Sequence, residues 1–196
     1  MISWSGLACL SRRNNPVPTI SRRQDYNGFV TKVARLKLGM LVAEAESTLR
    51  TFQLSVLEKK YANGTKNIRE RIDVAFDRLG GWNKLTSGGI DWTKQGAGGS
   101  TIGVEVQVSG RSDMLAVDIM HLKEKMMSGE IDIGVIIVPD DALSKFLTDR
   151  TPNMATAMKH VAHRASDLPI RIAAFLHDSA GEALPKMRTN LGKLSG

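Results

Sequence analysis

The chain of 196 residues has one cysteine, Cys9. That excludes an intramolecular disulfide framework and any cysteine-clustered zinc site, and it suits a reducing compartment. No stretch approaches the roughly 18 uninterrupted apolar residues of a membrane span. The first apolar patch, residues 4–10, is broken by Ser5 and Gly6 and has no basic residue before it, which argues against a secretory signal. There is no internal repeat. The glycine-rich segment at residues 96–99 has no Lys-Ser or Lys-Thr pair after it, so a phosphate-binding P-loop is rejected. With 42% hydrophobic and 24% charged residues, what is left is one soluble globular domain, large enough to bury its own core and expected in the cytoplasm. No membrane partner and no organic cofactor are implied.

The net charge is +7, and it is unevenly placed. Arg12, Arg13, Arg22, Arg23, Lys32, Arg35 and Lys37 face one acid, Asp25, within residues 1–37; the rest of the chain is nearly neutral. Residues 1–28 hold Pro16, Pro18 and the paired arginines without apolar periodicity, so they read as a basic arm, loose or partly docked, ahead of a single domain at 29–196. A basic flank can attract phosphates, and it can equally be a transit-type or early-start extension.

Periodicity organises the remainder. Leu41, Ala45, Leu49, Phe52 and Val56 make the stripe of an amphipathic helix, and Ile68, Ile72, Phe76 and Leu79 make a second that stops at Gly80-Gly81. Residues 102–108 alternate strictly, with Ile102, Val104, Val106 and Val108 on one face and Glu105 and Gln107 on the other. Leu115, Ile119, Leu122 and Met126 give a third helix. Residues 133–138, stopped by Pro139, read as a central strand covered on both faces. Met154, Met158, Val161 and Ala165 mark a further helix, and residues 169–176 a last strand. This order predicts an α/β domain with a central mixed β-sheet flanked by helices. Most of the nine methionines fall on core stripes and call for no cofactor.

The chemistry-bearing candidates are Asp91, in Gly89-Ile90-Asp91-Trp92, and Glu105-Val106-Gln107, fourteen residues on. Carboxylates on adjacent strands can converge, and two of them with the Val106 carbonyl and waters meet the oxygen-ligand demand of a hard cation such as magnesium. Such an ion acidifies water and stabilises charge on a phosphate. Exposed strand polars are the plainer alternative.

These segments resemble the active-site motif of the PD-(D/E)xK nucleases, in the Glu-x-Gln version of the BglII restriction endonuclease family. Gly89-Ile90-Asp91-Trp92, Val104-Glu105-Val106-Gln107 and the segment from Gly129 to Pro139 follow that family's order and spacing, within a catalytic core of about residues 65–178. The resemblance implies a type II restriction endonuclease, a site-specific deoxyribonuclease that hydrolyses double-stranded DNA at a short palindrome, and it points to a GATC core. It implies Asp91, Glu105 and the Val106 oxygen as ligands of magnesium, for which manganese can substitute. Gln107 takes the place usually held by lysine; it cannot act as a base but can orient water or a phosphate oxygen. It further implies a homodimer, because a two-fold palindrome matches a two-fold protein. The helix after Leu41 and the helix over residues 113–127 are both candidates for the dimer contact. A catalytically silent DNA-binding domain and a structure-specific repair nuclease of the same fold are the alternatives.

Base reading needs hydrogen-bonding side chains on loops. Residues 109–113 and 149–153 qualify, with Ser109, Arg111, Arg150, Thr151 and Asn153 as candidate DNA contacts. Glu70 could approach the metal from behind, although a solvated helix carboxylate is the plainer reading. His160 and His163 lack ligand partners at suitable spacing and are expected at the surface.

Overall fold

The run of branched residues ahead of Pro139 forms the centre of the molecule, strand β6 (Ile133–Pro139), buried at every position. The computed structural model describes residues 18–56, 65–85, 89–108, 112–147, 150–177 and 179–180. Around β6 the sheet runs β1 (Thr19–Asp25), β7 (Ile170–Leu176), β6, β5 (Thr101–Val106), β4 (Trp92–Gln95) and β3 (Asn83–Lys84). The three inner strands β5, β6 and β7 are parallel, whereas β1, β4 and β3 add antiparallel edges. Parallel neighbours need long crossovers. Here these carry α4 (Ser112–Met127) between β5 and β6, and α5 (Asp141–Ser144) with α6 (Met154–Arg164) between β6 and β7.

The strand period of two sorts side chains into two cores. Ile102, Val104 and Val106 of β5 and Ile133, Val135 and Ile137 of β6 pack with α1 (Phe29–Arg35), α2 (Gly39–Ser47) and α3 (Thr65–Leu79). On the opposite face, Ile136 and Val138 meet Leu115, Ile119 and Leu122 of α4 and Met154, Ala157 and Val161 of α6. Both faces of the sheet are therefore covered, which is the expected α/β architecture. No helix among the described residues is long and apolar enough to cross a membrane.

Two local expectations change. Residues 19–25 of the expected arm are an edge strand, paired antiparallel with β7 from Thr19↔Leu176 to Asp25↔Arg171. Arg22 reaches Asp140 at 2.8 Å and Arg23 reaches Glu46 at 3.0 Å, so these charges are ion-paired across the fold. The stripe from Leu41 does not run as one helix to Val56. Helix α2 ends at Ser47, a 3₁₀ turn spans Thr48–Arg50, and Val56 lies in β2 (Ser55–Val56), parallel to β8 (Ser179–Ala180). The hydroxyls of Ser47 and Thr48 accept the competition there by donating to the carbonyls of Glu44 and Ala45, each at 2.7 Å, which favours the tighter turn. The segment that follows Asp91 continues as strand. β4 extends to Gln95, and the glycines make the reversal into β5, closed by Gly96 N donating to Ser100 O at 2.8 Å with Gly99 at φ 84°.

Candidate active site

Trp92 is fully buried and stacks on Phe76 of α3, ring centroids 4.9 Å apart, and this fixes the start of β4. The β4–β5 ladder ends with Trp92 opposite Val104. Carried one residue further, the same register sets Asp91 beside Glu105. Gly103 helps from below. A Cβ there would lie 2.8 Å from Ile131 Cδ1 and 3.1 Å from Ile90 Cδ1, so a side chain would push on the residue next to Asp91.

Asp91 accepts from the Val106 amide at 2.8 Å through Oδ2 and from Arg69 Nη2 at 2.7 Å through Oδ1. The other arm of the same guanidinium, Nη1, donates to the Val106 carbonyl at 2.7 Å, and Nε donates to Asp73 at 3.0 Å. Asp73 is pinned in turn by Lys84 Nζ at 2.9 Å and Trp92 Nε1 at 3.2 Å. Arg69 thus ties α3 to both the acid and the backbone oxygen.

Glu105 lies beside Asp91 on the α4 side of β5 and is only 1% exposed. Its Oε1 has no hydrogen-bond partner. Burial, reinforced by the charges of Asp91 and Asp118, pushes its carboxyl up to about 11. Two residues on, Gln107 donates through Nε2 to the Asp118 carboxylate of α4. Burial and the Asp91 charge hold Asp118 up at about 6. His121, one turn along α4, lies 4.0 Å from Asp118. The polar side of β5 is therefore roofed by a helix, in contrast to the solvated face that alternating polars suggest.

The structure brings Asp91, Glu105, Val106 and Gln107 into one cluster and adds three partners that the sequence did not reveal: Arg69, Asp118 and His121. A faint trace existed in Arg69-Asp73 at i,i+4 and in an acid set between the apolar positions of α4. Glu70 is exposed and pairs with Lys66 at 3.7 Å; its neighbour Arg69 faces the cluster. Of the candidate DNA contacts, Ser109 and Arg111 lie outside the described residues. Arg150 is exposed and Thr151 is buried. Asn153 caps α6, its Oδ1 accepting from Thr156 N at 2.9 Å and its amide donating to Ser144 Oγ at 3.3 Å, so this side chain is committed to the helix start. His160 contacts Arg164 at 3.0 Å on the outer side of α6, with His163 exposed.

The donor set suits a hard divalent cation. Two carboxylates and a carbonyl supply only oxygen, and the orphaned Oε1 of buried Glu105 is an acceptor that lacks a positive partner. Among the described residues no three His, Cys, Asp or Glu side chains gather as a metal cage, so an ion held here would need the Val106 carbonyl and water to complete its coordination.

A buried acid on a central strand, a second acid entering from the neighbouring antiparallel strand, and an amide two residues further on, all on a mixed sheet with helices on both faces, define a nuclease of the PD-(D/E)xK class. The family model of restriction endonuclease BglII/BglIII matches residues 37–175, and the chain belongs to that family. It is on that ground a type II restriction endonuclease. Two solved structures share the fold. The crystal structure of restriction endonuclease BglII complexed with a DNA 16-mer superposes with a TM-score of 0.62 at 17% identity, covering 80% of this chain and 78% of that one. The crystal structure of free BglII gives 0.55 at 16% identity, covering 80% and 79%. Among curated proteins none matches this chain.

Proposed function

We propose that the protein cleaves both strands of double-stranded DNA at a short palindromic sequence, using magnesium held by Asp91, Glu105 and the Val106 carbonyl, with manganese able to replace it. The convergence of these three oxygen donors beside Gln107 carries the reading. When bound, such a cation supplies the charge that stabilises a phosphate in transition and acidifies nearby water. The chain's own residues do the positioning. Gln107 is neutral and takes no proton; because the Asp118 carboxylate can accept only from its Nε2, the amide is fixed in orientation and its oxygen can accept a hydrogen bond from the attacking water. Glu105 and Asp91 would hold the cation, their oxygens being presented from two neighbouring segments of a rigid sheet.

For DNA reading, Arg150 is the described candidate whose side chain is exposed, and it joins Ser109 and Arg111 in this role. Thr151 and Asn153 support the loop from within. The homodimer is assigned to α4, which leaves Met114, Val117 and Met120 exposed at three-residue spacing on the helix that also carries Asp118. A chain that acts on intracellular DNA and has one cysteine belongs in the cytoplasm.

The test is digestion of unmethylated phage DNA by the purified protein with magnesium, against an EDTA control. The expected result is a set of sharp bands whose sequenced ends share one palindrome and show whether GATC lies at its centre. Undigested DNA across salt and several metals would overturn the proposal, and cutting at junctions or damage without a fixed sequence would make the protein a repair-type nuclease.

A further inference from the structure

The position of Arg69 is unusual for a structural arginine. Its fork spans two of the three oxygens assigned above as ligands, Nη1 on the Val106 carbonyl and Nη2 on Asp91 Oδ1, both at 2.7 Å. The second Asp91 oxygen is taken by the Val106 amide at 2.8 Å. A magnesium ion approaches its oxygen ligands to about 2.0–2.1 Å. An ion ligated by both Asp91 Oδ1 and the Val106 carbonyl would have to share these two oxygens with the guanidinium edge that already bridges them. Two positive groups at that separation repel, with little water between them to screen the effect, since the Arg69 and Asp91 side chains are only 18% and 21% exposed.

We infer that Arg69 is a resident stand-in for the metal: its guanidinium and the divalent cation exclude each other at the Asp91–Val106 pair, and metal entry requires the fork to let go. The inference rests on the ligand assignment proposed above. Arg69 in this role is a positioning residue. In the metal-free protein it keeps Asp91 and the Val106 carbonyl aligned by satisfying both, which a repulsive pair of oxygens would not do unaided. The guanidinium is one rigid plane, so release moves the whole head group, and its bond from Nε to Asp73, which Lys84 and Trp92 hold in place, must shift with it. Lysine would not serve equally. It carries the same charge at a single point and cannot bridge both oxygens with a planar fork.

The test is a manganese titration of the full-length protein without DNA, read by calorimetry and by the loss of free-ion paramagnetic signal. Four proteins are compared: wild type, Arg69→Gln, Arg69→Lys and Glu105→Gln. The expected result is a tightening of manganese binding on the order of tenfold in Arg69→Gln, and a smaller tightening in Arg69→Lys. General damage to the site can only weaken binding, so tightening separates the exclusion role from a purely structural one. If Arg69→Gln does not fold, Arg69→Lys decides by the same criterion. Unchanged or weaker binding in a folded Arg69 variant, with binding still dependent on Glu105, overturns the inference and leaves the ligand assignment standing. Manganese binding that is insensitive to Glu105→Gln overturns both.

Discussion

Glu105 is a buried carboxyl group with an orphaned oxygen, and its energetics follow from that burial and from the nearby Asp91 and Asp118 charges. Its proton is held to about 11 in the folded chain but leaves near 4.5 when unfolded. The folded state therefore binds more protons between those values, and the group's contribution to stability falls as pH rises through that window. Asp118 acts in the same direction between 3.8 and about 6. The metal-free protein should lose stability from pH 4.5 to 7. Glu105→Gln, which mimics the neutral form, should flatten that slope and raise stability at pH 7 by about 2 kcal/mol while abolishing cleavage. Urea unfolding at several pH values with EDTA present checks this, and a variant less stable than wild type at pH 7 would refute it. Glu105 and Gln107 were legible in the sequence because a strand's period of two puts i and i+2 on one face. Asp118 and Arg69 were not, because they arrive from helices whose docking no local pattern encodes. Asn153 shows a related ambiguity: an Asn ahead of an apolar stripe suits an N-cap as well as a base reader, and in the fold it caps α6.

At the level of elements, the edge strand β1 was hidden by its charges. Arg22, Arg23 and Asp25 gave it the look of a solvated arm, since an edge strand with one partner buries little and shows weak alternation. Its partners lie far away in sequence. Arg171 of β7 grips Asp25 at 2.7 and 2.9 Å, reaches Glu46 at 3.4 Å, and sits over the Phe29 ring. Arg171→Ala leaves the Asp25 carboxylate without its cation and takes one of two arginines from the buried Glu46, which keeps Arg23. It should lower stability by about 2–4 kcal/mol and speed amide exchange along β1 before the central strands. Hydrogen exchange by mass spectrometry reads this, and uniform exchange across the sheet would argue that β1 is no separate unit. The central strand and the helices α3, α4 and α6 were readable because each has a continuous apolar pattern that packing then completes. The stripe beginning at Leu41 outran its helix because Ser47 and Thr48 divert it into a 3₁₀ turn, an effect that periodicity does not register.

For the whole molecule, two cores lock the sheet, and the cluster at the β4–β5 junction inherits that rigidity. A palindrome-cutting enzyme needs two such clusters facing opposite strands, and α4 links the proposed dimer face to Asp118. The protein should sediment at twice its 21.4 kDa, and Val117→Asp, which sets a charge in the exposed stripe, should sediment as a monomer and lose double-strand cutting. A dimer untouched by Val117→Asp would move the interface off this helix. The account stands or falls on whether the Asp91–Glu105 cluster is the cutting centre. The direct measurement compares wild type and Asp91→Ala for magnesium-dependent cleavage of phage DNA, with circular dichroism and DNA binding measured on the same samples. The account predicts that Asp91→Ala stays folded, still binds DNA and does not cut; cleavage at the wild-type rate by this variant would contradict it.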